Sequence, residues 1–272
     1  MLTGNHHYYD SMLEFINQAD QEVNTDNYFN SSRQENPDRT NFTKTKTFRQ
    51  AVELALHGWP EGLSMIQDAL DDIEALPAIE PLPVFDVCGE AFNLDAVLQG
   101  QPENMFYFMP QESHKPRIIQ LAFNFGYNAQ ITSAEVMARG AAIASAVNDI
   151  ENAGMRVELY AYQSTAHGLY TTTTVVKIKE SQEPLELERM VFAAAHPAMH
   201  RRLNFSTKEQ YSYDEFQDRF GSGYGSSREP TCSQLAEAGL QDDNLIKVDK
   251  DSFNPDQVKR CIQQQLDSIL EN

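Results

Sequence analysis

The sequence contains two histidines, His196 and His200, at a spacing that could allow them to bind a metal ion. They are four residues apart, a spacing that places two imidazole rings on one face of a helix. A zinc site would need a third ligand and often a glutamate base between the histidines. The intervening residues are Pro197, Ala198 and Met199, and the proline disturbs the required helix. We interpret the pair as capping or packing residues, or as a surface contact for phosphate, and predict no metal site.

Other groups that commonly catalyse reactions lack the partners they need. Ser133 and Ser164 are outside any Gly-x-Ser-x-Gly elbow, and Cys88 has no second cysteine at CxxC spacing. Acidic pairs such as Asp71 and Asp72 lie in polar contexts, which do not separate their pKa values as acid–base catalysis requires. The sequence therefore predicts a non-enzymatic protein with no catalytic residue and no cofactor. The alternative is an enzyme whose residues converge only in the folded chain.

Basic and aromatic residues are interleaved between residues 201 and 228, a pattern typical of proteins that bind single-stranded nucleic acid. Cations would contact phosphates, and a Gly/Ser-rich loop over residues 218–228 would let aromatic rings adapt to unstacked bases. Acidic residues in the same stretch, Asp214, Glu215 and Asp218, would repel phosphate, so an ordinary surface loop is the alternative. The predicted contacts to single-stranded DNA are Arg201, Arg202, Lys208, Arg219, Phe220, Tyr224 and Arg228.

Hydrophobic periodicity places these groups on an α/β framework. The predicted strands cover residues 84–87, 105–108, 117–123, 155–162, 170–179 and 245–248. The predicted helices cover residues 8–23, 45–56, 61–76, 132–152, 185–195 and 256–270. Strands that alternate with helices predict a three-layer, doubly wound mixed sheet that is covered on both faces.

Composition divides the chain into a short extension and one large domain. Residues 1–41 are predicted as a short helix and a flexible linker, because residues 24–41 carry too few apolar groups to pack. Residues 42–272 are predicted as the α/β domain. Within it, a helical and extended segment, residues 42–112, packs on a sheet core of residues 113–272.

The net charge of −19 is unevenly distributed. Residues 1–32 and 50–114 contain no Lys or Arg, whereas residues 115–208 contain ten Lys or Arg and eight Asp or Glu. Overall acidity argues against a large nucleic-acid interface, and the acidic stretch 61–112 suits a basic protein partner. Three scattered cysteines, no signal peptide and no apolar stretch of about 20 residues predict a cytoplasmic protein with no membrane contact.

The order of elements after Lys115 resembles the von Willebrand factor A type fold. In that fold the first strand ends in a metal-binding Asp-x-Ser-x-Ser motif, and the corresponding positions here are Asn124, Gly126 and Asn128. Divalent metals prefer charged oxygen ligands, and these residues offer only neutral carbonyls. The resemblance therefore implies a von Willebrand factor A-like domain with a degenerate metal site and a helical N-terminal extension.

Short motifs spread over residues 42–202 resemble a group of phage-encoded and prophage-encoded proteins of largely unknown function. The motifs are Phe48–Ala51, Gly58–Gly62, Gly100–Met105, Gly140–Ala142 and Ala194–Met199. The resemblance implies a phage accessory or adaptor protein in the host cytoplasm. It also implies a single-stranded-DNA-binding factor that recruits phage RNA polymerase for transcription. The alternative is a protein–protein interaction module with no nucleic-acid contact.

Overall fold

A six-stranded mixed sheet organises the chain in the computed structural model, which describes residues 3–24, 30–64, 83–89, 91–108, 116–240 and 242–271. The strands are β1 (Thr3–Tyr9), β2 (Pro83–Asp86), β3 (Ala91–Phe92), β4 (Met105–Phe108), β5 (Ile118–Asn124), β6 (Arg156–His167), β7 (Tyr170–Lys179), β8 (Ser226–Arg228) and β9 (Leu245–Val248).

The labelled α-helices are α1 (Met12–Ala19), α2 (Pro37–Thr43), α3 (Phe48–His57), α4 (Leu94–Leu98), α5 (Ser133–Asn152), α6 (Leu187–Ala195), α7 (Phe205–Lys208), α8 (Tyr213–Phe220), α9 (Cys232–Ala236) and α10 (Pro255–Glu271). A π-helix over Met199–Asn204 leads directly into α7, and a 3-10 turn over Asp242–Asn244 precedes β9. Residues 60–64 are also helical, and the remainder of the predicted helix 61–76 lies outside the described residues.

The strand order across the large sheet is β1-β7-β6-β5-β9, and β8 pairs with β6 beyond the end of β5. The β1–β7, β5–β6 and β5–β9 pairs are parallel, whereas β6–β7 and β6–β8 are antiparallel. The prediction of an α/β chain with a mixed sheet flanked by helices is therefore confirmed. Strands β2, β4 and β3 form a second, antiparallel sheet, which we call the small sheet.

The long helix α5 covers the central strands of the large sheet. It begins in a capping box, where the Thr132 hydroxyl accepts the N–H of Glu135 at 3.3 Å and the Glu135 carboxylate accepts the N–H of Thr132 at 2.8 Å. Its apolar side chains Ile143, Val147 and Ile150 are fully buried in the main core. Helices α3, α6 and α10 contribute to the same core, and α9 contributes to a smaller cluster with side chains of β5, β6 and β7. None of the described helices is both long and apolar enough to cross a lipid bilayer.

The N-terminal segment differs from the predicted extension and linker. Residues 3–9 form β1, which pairs with β7, although the sequence alone favours a helix from residue 8. Within the predicted linker, Pro37 begins α2, and the Asn36 side chain caps that helix by accepting the N–H of Arg39 at 2.9 Å. Ser31 and Ser32 are buried. Specific polar partners therefore fix a segment that has few apolar groups.

The predicted Gly/Ser loop over residues 218–228 also differs from the structure. Its first residues end helix α8, which begins at a capping box formed by Ser212 and Glu215. Its last residues form β8. Gly221 and Gly225 have φ angles of 66° and 78°, which allow the sharp turn between helix and strand. The loop is therefore a short connection between two regular elements.

Helices α5 and α6 approach each other closely at Gly140. A Cβ atom added there would lie 2.4 Å from the Cβ of Ala195 and 2.6 Å from its Cα. Both neighbouring atoms belong to a rigid, buried part of α6, so they cannot move aside cheaply. The packing of the two helices therefore requires glycine at this position.

We expect Gly140→Ala to lower the free energy of unfolding by about 1–3 kcal/mol, because the overpacking outweighs the better helix propensity of alanine. The matched control is Gly223→Ala, since a Cβ at Gly223 meets no atom within 4 Å. Urea denaturation of both variants checks the prediction. Equal stability of Gly140→Ala and wild type would contradict the close helix approach.

Candidate functional site

The carboxyl end of β5 is the place where α/β sheets usually bind ligands. Asn124 is fully buried there; its Oδ1 accepts the N–H of Gly126 at 2.8 Å, and its Nδ2 donates to Glu229 at 3.1 Å. Gly126 supplies no side-chain ligand, and a Cβ at that position would lie 2.3 Å from the Cγ of Gln163. Asn128 is exposed. The first of the three predicted motif positions is thus engaged inside the protein and the third is at the surface.

Glu229, just after β8, connects several elements at this end of the sheet. Its Oε1 accepts the N–H of Lys250 at 2.7 Å in addition to the Asn124 amide. Its Oε2 accepts the hydroxyl of Tyr162 at 2.9 Å and lies 3.3 Å from the Nζ of Lys247. Burial, together with the neighbouring Glu229 carboxylate, raises the pKa of Tyr162, so this side chain remains a neutral donor.

Arg139 of α5 approaches the same place from the helical layer. Its side chain is only 2% exposed, and its guanidinium donates to the carbonyl oxygen of Asn124 and, at 3.1 Å, to that of Asp249. Burial lowers the pKa of Arg139 to about 10, which still leaves it charged at neutral pH. We call Arg139, Glu229 and Lys247 the ion cluster; it joins α5, β8 and β9 at the end of β5.

The ion cluster does not fit a divalent metal ion. Such an ion takes six or more oxygen ligands, commonly including carboxylates, whereas both oxygens of Glu229 already accept hydrogen bonds within the protein. Arg139 and Lys247 would also repel a cation. In the part of the chain that the structure describes, no group of three or more His, Cys, Asp or Glu side chains is arranged to hold a metal.

Sequence reasoning located this end of the sheet but missed the three members of the ion cluster. These residues lie on different elements, and Arg139 and Lys247 are 108 positions apart in the sequence. One signal was available for Arg139. It immediately precedes the uncharged, largely apolar run 140–147, and a lone charge beside such a run indicates a buried polar partner.

The residues predicted to contact single-stranded DNA do not form one exposed face. Arg202 is fully buried, and its guanidinium donates to the Thr45 hydroxyl at 2.8 Å and to the carbonyl oxygen of Ser32 at 2.6 Å. Arg201 is 3% exposed; it donates to the carbonyl oxygen of Phe42 at 2.7 Å, and its guanidinium lies 3.8 Å from the centre of that ring. Both arginines therefore hold the protein together internally.

Lys208, Phe220 and Tyr224 are brought together, with Lys208 and Phe220 buried and Tyr224 half-buried. The Lys208 amine donates to the Thr165 hydroxyl at 3.3 Å and to the carbonyl oxygen of Tyr224 at 3.2 Å, and it lies 5.1 Å from the centre of the Phe220 ring. Lys208 and Phe220 are each 2% exposed. The Tyr224 hydroxyl donates to the buried carboxylate of Glu209. A base could stack on the Phe220 ring only if the structure opened, and the Tyr224 ring is already stacked on Phe205 at 3.6 Å between ring centres.

Arg219 and Arg228 keep part of their surface in solvent. The Arg219 guanidinium lies 4.9 Å from the ring centre of Tyr211 and 5.6 Å from that of Tyr170. Arg228 lies on β8 opposite Ser164 of β6. Contact with single-stranded DNA in this region stays a prediction, and it now depends mainly on these two cations.

The two histidines of the i, i+4 pair are packing residues. The Nδ1 atom of His196 accepts the N–H of Ala198 at 3.0 Å, and the ring meets the edge of Trp59 at 4.5 Å between ring centres. His200 lies among aromatic rings, including that of Tyr127 at 4.9 Å. Burial lowers the pKa of His196 to about 3 and also lowers the pKa of His200, so both are neutral at neutral pH.

Apolar side chains are concentrated at the surface around the small sheet. Of the eleven large apolar residues that are exposed in the described part of the chain, six lie between residues 85 and 98. We call these six the small-sheet surface: Phe85, Val87, Phe92, Leu94, Val97 and Leu98. Leu94 and Leu98 are four residues apart on α4 and are 60% and 76% exposed. Ala96 of the same helix is buried, so α4 turns its larger apolar residues outward.

Comparisons with known proteins identify one family. The sequence matches the family described as a domain of unknown function (DUF7192) over residues 4–268. No curated protein and no solved structure matches the chain. The matched range includes β1 and α1 as well as α10, so the N-terminal segment and the sheet core are parts of one family unit.

We expect Arg139→Met to lower the free energy of unfolding by about 3 kcal/mol or more, because it leaves the carbonyl oxygens of Asn124 and Asp249 without this donor and removes a buried charge from the hydrogen-bond network. The exposed Arg156 provides the control variant Arg156→Met, which should change stability by less than about 0.5 kcal/mol. Denaturant unfolding measures both values. Rescue of Arg139→Met by magnesium or calcium would contradict the assignment, since it would show that a metal can replace the guanidinium.

Proposed function

We propose that this chain, which belongs to the DUF7192 family, is a non-enzymatic adaptor that binds a basic protein partner through the small-sheet surface. The observation that carries the proposal is the concentration of exposed apolar side chains in this one part of the molecule. Monomeric proteins rarely expose contiguous apolar patches of large area, and such patches commonly mark interaction sites. An interface needs apolar anchors of this kind at its centre.

The charge around the small-sheet surface specifies the kind of partner. Residues 50–114 contain no Lys or Arg, and Asp86, Asp95 and Glu103 lie within or beside the small sheet. An apolar centre with an acidic rim is complementary to a partner surface that carries apolar residues among Lys and Arg. Complementary charge accelerates association and excludes acidic partners.

The small sheet exposes apolar residues on both of its faces. Phe85 lies opposite Phe106, and Phe92 lies opposite Met105 in the next register position, so the two exposed phenylalanines point to different faces. Their side chains are 47% and 62% exposed. A partner segment that wraps around the small sheet would bury more apolar area than one that contacts a single face.

The large sheet supports a scaffold role. The ion cluster lies at the end of β5, where an α/β protein would usually hold a ligand, and its charged groups are engaged by internal contacts: Glu229 with Asn124, Tyr162 and Lys247, and Arg139 with backbone oxygens. We further propose that the domain is von Willebrand factor A-like. The parallel β5–β6 pair, the antiparallel β7 and the position of Asn124 at the end of β5 support this relationship.

We expect the double variant Leu94→Ser/Leu98→Ser to bind its protein partner at least tenfold more weakly than wild type. Each leucine contributes about 1.5–3 kcal/mol when it is fully buried, and 1.4 kcal/mol corresponds to tenfold in affinity. The matched control is Leu169→Ser, because Leu169 is 68% exposed but lies in the β6–β7 turn. Partners captured from the host by wild type are purified, beginning with phage RNA polymerase if present, and their affinities for the three proteins are measured by calorimetry at several salt concentrations.

Loss of affinity in the double variant alone, together with weaker binding at high salt, supports the adaptor. Equal affinities for the double variant and Leu169→Ser would contradict it, whatever partner is captured. Circular dichroism of each variant excludes unfolding as the cause.

Recruitment of phage RNA polymerase to single-stranded DNA stays a prediction, and Arg219 and Arg228 allow a direct test. We expect a labelled oligonucleotide to bind with an affinity that falls as salt rises, and we expect Arg219→Gln/Arg228→Gln to reduce the slope of log K against log salt by about 1.4, or about 0.7 for each lost phosphate contact. Arg156→Gln is the control, since Arg156 lies at the opposite end of β6. Absence of binding even at low salt would leave a protein-binding module without nucleic-acid contact.

A further inference from the structure

A cavity of about 310 Å³ lies between the β1–β7 edge of the large sheet and the segment that joins α7 to α8. Its volume falls at the lower end of the range for small-molecule sites. Every lining residue carries a polar group, in contrast to the apolar core under α5. The residues that matter for its chemistry are His7, Thr172, Thr174, Lys208, Tyr211 and Glu215.

Lys208 supplies this cavity with a buried amine. The side chain is 2% exposed, and both of its hydrogen bonds, to the Thr165 hydroxyl and the Tyr224 carbonyl oxygen, go to neutral acceptors. Within the described residues Lys208 forms no ion pair. Burial lowers the pKa of Lys208 to about 7. At such a site the amine keeps its charge above neutral pH only when a negative charge joins it, and otherwise it loses its proton.

Thr172 supplies a second group that is incomplete without a ligand. It is 3% exposed, and its buried Oγ1 has no hydrogen-bond partner among the described residues. Buried hydroxyls almost always form a hydrogen bond, because an unsatisfied one loses its contact with water without replacement. The hydroxyl is on the face of β7 that lines the cavity.

Two cations lie at or near the cavity, Lys208 in its lining and Arg219 close to His7, although the whole chain carries a net charge of −19. Besides burial, which is the main cause, the positive charges of Arg219 and Lys208 lower the pKa of His7 at the cavity wall. Glu215 is the one acidic residue among those that line the cavity in the described part of the chain. Its carboxylate is exposed and accepts the Ser212 hydroxyl at 2.8 Å, so it belongs to the solvated rim.

We propose that this cavity binds a small oxyanion, a carboxylate or phosphate group, held by the Lys208 amine and the Thr172 hydroxyl. The ammonium group supplies a compact charge with three donors, of which two already have protein acceptors. The anion accepts the third and gives Thr172 its missing partner. This site is separate from the small-sheet surface and does not depend on the adaptor function.

The test titrates the full chain at pH 7, in chloride buffer of constant ionic strength, with inorganic phosphate and separately with succinate. Calorimetry gives the affinity, and the Tm gives the stabilisation that accompanies binding to the folded state. We expect wild type to bind at least one of the two probes. A response to phosphate alone identifies a phosphate ligand, and a response to succinate alone identifies a carboxylate ligand.

Three variants locate the site. We expect Lys208→Met to reduce affinity about tenfold or more, as loss of a charge-assisted hydrogen bond would. Its Tm without anion should equal or exceed that of wild type, because an unpaired buried amine is removed. Thr172→Val should reduce affinity about threefold or more at nearly constant side-chain volume. The matched control is Thr171→Val, since the Thr171 Oγ1 is also buried without a partner but points to the opposite face of β7.

Absence of binding to both probes in wild type would overturn the proposal. So would unchanged affinity in Lys208→Met and Thr172→Val, or an equal loss of affinity in Thr171→Val, which would indicate a general disturbance of β7. If Lys208→Met does not fold, the comparison of Thr172→Val with Thr171→Val decides the result.

Discussion

A guanidinium that is removed from water needs acceptors for its five N–H groups, and Arg202 finds all of them in residues 32–46. Glu209 makes the complementary set of contacts, since its buried carboxylate accepts the N–H groups of Ser31 and Ser32 at 2.8 and 2.9 Å. Burial raises the pKa of Glu209. Arg202 lies within the π-helix and Glu209 directly follows α7, and together they hold the segment before α3 in place. The positions of α2 and α3 depend on this attachment.

Buried charge recurs in this protein, and in each case the partners come from distant parts of the chain. At the end of β5, Arg139 donates hydrogen bonds to backbone oxygens. Glu229 contacts the side chains of Tyr162, Asn124 and Lys247. Such arrangements contribute little net stability compared with apolar packing, but removal of one member is costly. They fix which elements meet. The edge of the sheet where α/β proteins usually bind ligands is therefore occupied by internal contacts. The surfaces that remain available for binding lie elsewhere.

Apolar periodicity was sufficient to predict most regular elements. The bounds of β7 and β9 are the same in sequence and structure, and Thr47 and Thr132 cap the helices that follow them. The polar strand β1 escaped prediction because only its pairing with β7 makes it a strand. Arg201 and Arg202 look like a surface pair in sequence, and only partners 70 or more residues away show that they are internal. The local sequence does not show whether a charged residue is buried. Residues of a candidate binding site could therefore not be distinguished, by sequence alone, from residues that hold the fold together.

The pairing of β1 with β7 has a consequence for the order of folding during synthesis. Residue 3 pairs with residue 170, so β1 can join the sheet only after β7 has been synthesised. Closing a loop of this length costs conformational entropy before any contact is gained, which slows folding. Residues 1–32 carry five acidic residues and no Lys or Arg, so copies of this segment repel one another in the meantime. Self-repulsion thus protects the nascent chain until its partner strand emerges.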